Sequence, residues 1–291
     1  NLKDVESFSN YKFIKDDIRN ESIIDSLVKN TDVIINFAAE SHVDRSIANP
    51  KPFLDTNILG TYSILEATRK YDKQFIHVST DEIYGDAYDK SSFDENSQIN
   101  PSNPYAATKA AADHLVSSYH RTYGINCITT RCTNNFGPNQ FPEKLIPKTI
   151  IRSIRNLKIP LYGDGMQIRS WIYVNDHAKA IENLISKGKP GNVYNITAYE
   201  EITNRTIVEK ILDILEKPHS MIEHVGDRPG HDKRYSINCS KIENEIGWKH
   251  QYNFDDALKQ TVAWYLDNQS WWEPLIDENA LHPQPWTINS K

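Results

Sequence analysis

The stretch DVIINFA, at residues 32–38, decides the fold of this chain of 291 residues. It is short and almost continuously apolar, and such runs are typical of parallel strands that helices cover on both faces. Just before it, apolar residues at 23, 24, 27 and 28 repeat at helical spacing, with Asn20 as a candidate N-cap. A helix followed at once by a buried strand indicates the repeating units of an α/β protein.

The first half of the chain continues this alternation of short strands and amphipathic helices. Further strands are predicted at residues 11–15, 74–79 and 125–130, and helices at 52–71 and 104–123. After Gly137 the rhythm loosens, with helices predicted at 145–156, 176–186, 204–216 and 254–268. We therefore predict a doubly wound parallel sheet of Rossmann type over residues 1–137, and a smaller region, mainly in 138–291, that returns some segments to the sheet.

The glycine-rich turn that usually opens such a fold is not in this sequence. A dinucleotide-binding fold begins with a strand and a turn whose backbone amides hold a pyrophosphate. The first glycine here is Gly60, and the chain begins with Asn1. We expect the natural protein to carry roughly fifty further residues upstream, enough for one strand–turn–helix–strand unit.

Composition narrows the class of protein. The formal net charge of −6 argues against a nucleic-acid partner, which usually requires a basic surface. No apolar run approaches the ~20 residues of a membrane-spanning helix, and no secretory leader is recognisable. The cysteines Cys127, Cys132 and Cys239 have neither disulfide nor zinc-site spacing. We expect a cytoplasmic protein with free thiols, no metal site and no membrane partner.

Tyr105 and Lys109 stand four residues apart on the helix predicted to start at Pro104. This spacing places both side chains on one helical face. A tyrosine is a poor base at neutral pH, but a neighbouring ammonium favours the phenolate and lowers the pKa of the phenol. The pair is therefore a candidate for taking a proton from a sugar hydroxyl as hydride leaves the same carbon.

Ser79-Thr80-Asp81-Glu82 ends a predicted strand, at the place where ligands of open α/β sheets bind. Thr80 can donate a hydrogen bond to a reacting oxygen. The two adjacent acids can divide roles, because ionising the first disfavours ionising the second. The segment is thus a candidate acid–base site beside the tyrosine–lysine pair.

With these motifs the chain resembles the dTDP-glucose 4,6-dehydratases of the extended short-chain dehydrogenase/reductase superfamily, over nearly its whole length. The matching stretches are FAAESHVDRS at 37–46, STDEIYG at 79–85, PYAATK at 104–109, NNFGP at 134–138, PEKLIP at 142–147, LYGDG at 161–165 and RPGHD at 228–232. The tyrosine–lysine pair is common to the superfamily, whereas Thr80-Asp81-Glu82 is specific to the dehydratases. The resemblance implies a homodimeric hydro-lyase of deoxysugar biosynthesis that keeps a tightly held NAD.

The reaction implied by the resemblance has three stages. Tyr105 deprotonates the sugar 4-hydroxyl while hydride passes from C4 to NAD, and Thr80 polarises the developing carbonyl. Glu82 then removes the C5 proton that the new ketone has acidified, and protonated Asp81 gives its proton to the departing C6 hydroxyl. Hydride returns to C6, which yields a 4-keto-6-deoxy sugar and regenerates the cofactor.

Further site residues transfer from the resemblance by position. Besides Tyr105 and Lys109, the cofactor would contact Asp17, Ile18, Ala38, Ala39, Glu40, Ser41, Asn135 and either Thr56 or Asn57. The nucleotide sugar would contact His42, Thr80, Asn134, Glu143, Lys144, Leu145, Tyr162, Arg169, Asn204, Arg228, His231 and Tyr235. Arg169 and Arg228 match positions that face the diphosphate, and guanidinium groups suit phosphate oxygens.

Some residues depart from the family pattern. Ser170 stands where many bacterial members carry aspartate and Phe136 where tyrosine is frequent, so the choice between thymidine and uridine diphosphate sugars stays open. Asn195-Ile-Thr-Ala lacks a common glycine pair, which indicates loop variation.

Two other functions stay open at this point. A nucleotide-sugar 4-epimerase or decarboxylase would share Tyr105, Lys109 and NAD but would not need the acid pair Asp81-Glu82. A non-catalytic nucleotide-sugar-binding protein would need none of these reactive side chains.

We also expect a two-fold dimer through the helices predicted at 52–71 and 104–123, because each carries apolar or small residues on more than one face. The residues concerned are Phe53, Ile64 and Leu65 on the first helix and Ala107, Ala111, Leu115 and Tyr119 on the second.

Overall fold

Parallel strands form the centre of the fold in the computed structural model, which describes residues 1–88, 91–277 and 280–288. The strands are Val33–Asn36 (β1), Gln74–Thr80 (β2), Cys127–Cys132 (β3), Asn134–Phe136 (β4), Ile159–Tyr162 (β5), Ile168–Tyr173 (β6), Val193–Ile196 (β7), Glu201–Thr203 (β8) and Ile222–Val225 (β9). The helices are Glu21–Lys29 (α1), Val43–Ala48 (α2), Lys51–Phe53 (α3), Thr61–Tyr71 (α4), Pro104–Tyr123 (α5), Leu145–Ile154 (α6), Val174–Lys187 (α7), Asn204–Ile214 (α8), Ser240–Ile246 (α9), Phe254–Asp267 (α10) and Gln269–Trp272 (α11).

The main sheet has the strand order β1-β2-β3-β7, and all its pairs are parallel. Helices cover both faces, as the sequence predicts. On β2, Phe75 belongs to a core shared with α4 and α5, while the adjacent Ile76 belongs to a core shared with α7 and α9. Because the strands are parallel, the carboxyl ends of β1, β2 and β3 meet at one edge of the sheet.

The smaller region contains the sheet β4-β6-β8 and the pair β5-β9. Helices α6, α8 and α10 pack there around Phe136, Trp171 and Phe254. Strand β7, late in the chain, pairs with β3 of the main sheet, so a later segment does return to it.

Helix α5 has the bounds that its sequence predicts. Asn103 Oδ1 accepts a hydrogen bond from Ala106 N at 2.9 Å, and Pro104 occupies the first turn. At the other end, Gly124 adopts φ +71°, a left-handed conformation that favours glycine.

Some predicted elements are wrong or shifted. Residues 11–15 are not a strand: Phe13 and Ile14 are exposed, and no described strand pairs with them. The helix predicted at 52–71 is continuous but contains a π-helical segment, Leu54–Gly60, between α3 and α4. Strand β3 begins at Cys127 rather than at 125. Asn20 precedes α1 without a capping bond from its side chain.

The cysteines Cys127, Cys132 and Cys239 are free thiols, as expected. Among the described residues, no helix combines the length and apolar character that crossing a membrane requires.

Candidate active site

The predicted acid–base residues meet at the carboxyl edge of the main sheet. Strand β2 ends at Thr80, and a single turn of 3₁₀-helix over Asp81–Tyr84 follows it directly. Tyr105, in the first turn of α5, is buried close to Thr80 and is near enough to Asp81 and Glu82 to feel both carboxyl groups. Residues that are about twenty-five apart in sequence are thus neighbours here.

The Asp81 carboxyl is buried, with 3% of the residue's surface exposed. Thr80 Oγ1 donates to Asp81 Oδ1 over 3.2 Å, and Asp81 Oδ2 has no hydrogen-bond partner among the described residues. Burial, reinforced by the Glu82 carboxylate, raises the pKa of Asp81 to about 8. At neutral pH this side chain therefore keeps its proton, as the sequence predicts for one member of the pair.

Glu82 has different surroundings from its neighbour. It is half-buried, and its Oε2 accepts from the Tyr235 hydroxyl at 3.2 Å and from Asn103 Nδ2 at 3.4 Å. The Tyr235 hydroxyl also lies 2.8 Å from Asp232 Oδ2. The two adjacent carboxyl groups therefore differ in their surroundings, and the dry environment of Asp81 favours a neutral acid.

Tyr105 and Lys109 are both buried on α5. Lys109 Nζ donates to the carbonyl oxygen of Val78 on β2 at 2.7 Å, and burial lowers the pKa of Lys109 to about 8. Burial, followed by the Glu82 carboxylate, raises the pKa of Tyr105 well above its ordinary value. The prediction that Lys109 lowers the pKa of Tyr105 is wrong for this structure, because desolvation dominates.

Asn57 fixes the backbone that follows β1. Its Oδ1 accepts from Glu40 N at 2.9 Å, and its Nδ2 donates to Glu40 O at 3.1 Å and to Thr108 Oγ1 at 2.9 Å. These bonds explain the π-helical segment that carries Asn57, since such segments often serve a local site. The neighbouring Thr56 is half-buried, and no such contact is described for it.

The other candidate cofactor residues at this edge are small or have polar groups to offer. Ala38 and Ala39 follow β1, and the Ala38 N–H is held by Asn36 Oδ1 at 3.1 Å. Asn135 donates to Thr133 O at 3.0 Å, while its Oδ1 is buried without a partner among the described residues.

Asp17 and Ile18 lie apart from the acid–base residues. The Asp17 carboxylate is exposed and binds Arg19 at 2.8 Å, a hydrogen bond that lowers the pKa of Asp17 to about 2. Ile18 packs on Gly60, where an added Cβ would be 2.4 Å from Ile18 Cδ1. The structure shows no contact of either residue with Tyr105 or Lys109.

A cavity between the sheet edge and the smaller region gathers the predicted substrate residues. Its lining includes His42, Asn134, Glu143, Lys144, Leu145, Tyr162, Arg169, Asn204, Arg228, His231 and Tyr235. Ser41 and Glu82 also line it, and Thr80 adjoins it through its bond to Glu82 N at 3.3 Å. Only the tertiary fold brings these segments together.

Sequence reasoning missed six lining residues, which are Val43, Asp44, Lys148, Pro160, Leu161 and Trp171. Asp44 lies inside the quoted motif at 37–46, and Lys148 lies on α6 four residues after Lys144, which immediately precedes that helix. Those two signals were present in the sequence.

Asp44 is a buried anchor for two of the predicted substrate residues. Its Oδ1 accepts from Arg228 Nη1 and its Oδ2 from the Tyr162 hydroxyl, both at 2.9 Å. Burial opposes ionisation of Asp44, but the Arg228 charge, the nearby His42 and the hydrogen bonds from Arg228 and Tyr162 together hold the pKa of Asp44 below its ordinary value. The carboxylate thereby fixes the guanidinium on the cavity wall.

The Arg169 guanidinium has more partners within the protein than the sequence suggests. Its Nη2 donates to Asp232 O at 2.8 Å and its Nη1 to Ile168 O at 2.7 Å, and its guanidinium lies 4.0 Å from the Tyr235 ring centre. Protein carbonyls and an aromatic face therefore satisfy much of this cation, in contrast to Arg228.

A second ionic cluster closes the cavity near α2 and α6. Arg45 Nη2 pairs with Glu143 Oε2 at 2.6 Å, and His42 Nε2 lies 3.9 Å from the same oxygen. Lys144 Nζ donates to Ser41 O at 2.7 Å, which ties α6 to the segment after β1. Burial lowers the pKa of Lys148 to about 8 and that of His42 well below its ordinary value.

The two family departures lie away from this cavity. Phe136 is a core residue packed against Trp171, Tyr173 and Phe254, and neither Phe136 nor the buried Ser170 lines the cavity. The expectation that they touch the nucleotide pocket is therefore not supported by the geometry.

Comparison with known proteins identifies the family of this chain. A family model described as GDP-mannose 4,6 dehydratase matches residues 1–261. The dTDP-glucose 4,6-dehydratases of Xanthomonas campestris and Streptomyces niveus are 43% and 44% identical, over 95% and 98% of this chain and 85% of each relative. The solved structure of DesIV, a dTDP-glucose 4,6-dehydratase from Streptomyces venezuelae with NAD bound, is 42% identical with a TM-score of 0.93, covering 94% of this chain and 85% of that chain.

More distant structures share the fold as well. A UDP-glucuronic acid 4-epimerase from Bacillus cereus is 25% identical with a TM-score of 0.87, covering 91% of this chain and 85% of that chain.

The parallel sheet with a tyrosine and a lysine on the helix beside it defines the class of extended short-chain dehydrogenases/reductases. Within that class, the chain belongs to the dTDP-glucose 4,6-dehydratase family.

Proposed function

We propose that this chain is an NAD-dependent dTDP-glucose 4,6-dehydratase, a hydro-lyase that forms the 4-keto-6-deoxy sugar. The observation that carries the proposal is the acid pair, in which a buried, protonated Asp81 stands directly beside Glu82 at the sheet edge. Elimination of water needs one group to remove the C5 proton and another to give a proton to the C6 hydroxyl, and 4-epimerisation needs neither of these two groups. A binding protein would have no use for a buried acid of raised pKa.

NAD suits the residues at the end of β1. Ala38 and Ala39 leave space there, and the unpartnered Asn135 Oδ1 is an acceptor for an amide donor. When bound, NAD supplies a hydride acceptor that later returns the hydride. The residues that would hold it are Asp17, Ile18, Ala38, Ala39, Glu40, Ser41, Asn57, Tyr105, Lys109 and Asn135.

The first proton transfer belongs to Tyr105 and Thr80. Burial keeps the Tyr105 hydroxyl protonated in this structure, so Tyr105 must first lose that proton to solvent, and Lys109 is the cation on the same helical face that stabilises the phenolate. The phenolate then takes the 4-hydroxyl proton, and Thr80, which lies close to Tyr105, donates to the oxygen that becomes a carbonyl. Removal of the 4-hydroxyl proton makes oxidation at C4 possible.

The elimination belongs to Glu82 and Asp81. Glu82 lines the cavity and takes the C5 proton, which the new 4-keto group has acidified. Asp81 gives its proton to the C6 hydroxyl, which leaves as water. As C6 accepts hydride, Glu82 returns the proton to C5 and is restored. Asp81 must recover a proton before the next turnover, equivalent to the one that Tyr105 took from the 4-hydroxyl.

The cavity suits an anionic nucleotide sugar despite the negative net charge of the chain. Arg228, fixed by Asp44, and the cavity lysines Lys144 and Lys148 concentrate positive charge on one wall. We infer that this wall meets the diphosphate, and that Arg169 contributes mainly by shaping it.

The remaining proposals concern the roles of the two regions of the chain, its cellular compartment and its assembly. Residues 1–137 would be mainly cofactor-binding and 138–291 mainly substrate-binding. The free thiols suit the cytoplasm. A two-fold dimer would use α4 and α5, but Phe53, Ile64 and Leu65 are buried within the subunit and cannot form its contact. Leu59, just before α4, and Tyr62 on α4 are 52% and 41% exposed, and we propose that these apolar side chains face a second copy of the chain.

The direct test is incubation of the protein and NAD with dTDP-glucose or with UDP-glucose, followed by NMR of the products. A 4-keto-6-deoxy sugar from dTDP-glucose is expected, and Glu82→Gln should suppress it. Formation of dTDP-galactose without loss of water would replace this proposal with an epimerase, and binding without turnover would replace it with a binding protein.

A further inference from the structure

A buried polar chain lies behind the helix that carries Tyr105 and Lys109. Arg131, on β3, donates from Nε to Asp113 Oδ2 at 3.0 Å and from Nη1 to the Tyr84 hydroxyl at 2.7 Å. The Tyr84 hydroxyl in turn donates to Asn195 Oδ1 at 2.9 Å. Asp113 and Arg131 are 4% and 5% exposed, so the ion pair is isolated from solvent. A structure bears the cost of such a pair only when its geometry is held well.

One oxygen of Asp113 is not used by this chain of bonds. Asp113 Oδ1 makes no hydrogen bond among the described residues and lies 3.6 Å from His77 Nε2. Burial keeps the pKa of His77 well below its ordinary value, so this histidine offers no positive charge. A buried, unpartnered carboxylate oxygen is costly and calls for an explanation.

Lys109 is a buried cation on the same helix, with its Nζ hydrogen-bonded to Val78 O and no direct ion pair to Asp113 in the described structure. It precedes Asp113 by four residues on α5, which places both side chains on one helical face, and both are buried. The Asp113 carboxylate works against the burial that lowers the pKa of Lys109. Of the other titratable groups, His77 on β2 and Cys132 on β3 are close enough to interact electrostatically with Lys109, and Tyr105 lies one turn earlier on its own helix.

We propose that Asp113 is a positioning residue that keeps Lys109 charged and directed at the reaction site, with Arg131 and Tyr84 holding its carboxylate in place. It acts through Lys109, because Asp113 and Arg131 line a separate cavity behind α5 that shares no residue with the substrate cavity. The role of Lys109 in turnover rests on the proposed function. Its charge state does not.

The test compares Asp113→Asn with the wild type in two measurements. In protein labelled with ¹³C at lysine Cε, and with the Lys109 signal assigned by Lys109→Arg, the titration midpoint of Lys109 should fall by about 1 pH unit, since one close opposite charge has an effect of that size. The alkaline limb of kcat should move in the same direction, with kcat about tenfold lower above both midpoints. KM for dTDP-glucose should stay within about twofold, because the substrate cavity is unchanged.

Matched variants separate charge from folding. Asp113→Ser also removes the charge, so the test needs only one of Asp113→Asn and Asp113→Ser to fold. Asp113→Glu keeps the charge and should restore the wild-type titration midpoint of Lys109. Asp176→Asn removes another buried carboxylate, which accepts from Gln251 N and Tyr252 N, and should lower stability without moving the Lys109 titration. An unmoved Lys109 midpoint in Asp113→Asn overturns the inference. A wild type that binds dTDP-glucose without converting it overturns the proposed function and leaves the titration result standing.

Discussion

Replacing Asp81 with asparagine separates the chemistry of this site from its stability. The side chain is buried, one of its oxygens has no partner among the described residues, and its pKa is raised from 3.8 to about 8. Because the pKa is raised in the folded protein, Asp81 does not reduce the free energy of unfolding below the unfolded pKa, where both states are protonated. As pH rises from the unfolded pKa to the folded pKa, the unfolded state ionises first and the free energy of unfolding falls. At pH 7 the accumulated cost is on the order of 4 kcal/mol, at ~1.4 kcal/mol for each unit of difference.

Asp81→Asn is nearly isosteric and cannot ionise, so it should be at least as stable as the wild type at neutral pH. Its advantage in the free energy of unfolding should grow between about pH 4 and pH 8 and then level off. Urea unfolding at several pH values measures this difference.

The same change should abolish proton donation to the leaving hydroxyl. We expect kcat to fall by roughly 10²- to 10⁴-fold, which is the usual contribution of a general acid. Oxidation at C4 does not use Asp81, so single-turnover absorbance should show reduced cofactor accumulating before any product forms. Asp176→Asn, a buried acid away from the cavity, should show neither effect.

Two outcomes would refute the reasoning. Turnover of Asp81→Asn within a few-fold of the wild type would show that another group gives the proton. Stability that decreases in parallel with the wild type as pH rises would show that Asp81 is not a buried acid of raised pKa.

The remaining predictions address pH, assembly and the cofactor edge. Wild-type kcat should decline above about pH 8, because Asp81 loses the proton that it must give and Lys109 loses its charge there; a rate that stays flat into alkaline solution would contradict this. Tyr62→Glu should convert a dimer into monomers by light scattering, whereas Ile185→Glu on α7, as the control, should not; a wild-type monomer at micromolar concentration would end the dimer proposal. Asn57→Ala removes three hydrogen bonds behind the segment after β1, so it should cost about 1–3 kcal/mol in stability and raise the Kd for NAD in calorimetry; unchanged values of both would show that this clamp has no such role.

Local sequence determined the elements that carry the chemistry. The apolar runs around β1 and β2, the Asn103-Pro104 start of α5 and the four-residue spacing of Tyr105 and Lys109 are short-range signals, and the structure reproduces each. The adjacency of Asp81 and Glu82 is likewise a property of the sequence, and like charges that close disfavour each other's ionisation. Burial, the larger cause of the raised pKa of Asp81, comes from the tertiary structure.

What only the tertiary structure decided is how each charged group is surrounded. Residues 11–15 have strand-like composition but no strand to pair with in the described structure, and pairing is a long-range property. The anchoring of Arg228 by Asp44, 184 residues away, and the engagement of Arg169 by backbone carbonyls are of the same kind. So is the raised pKa of Tyr105, since desolvation depends on everything that packs around a group and outweighs the effect of one neighbour four residues away in sequence.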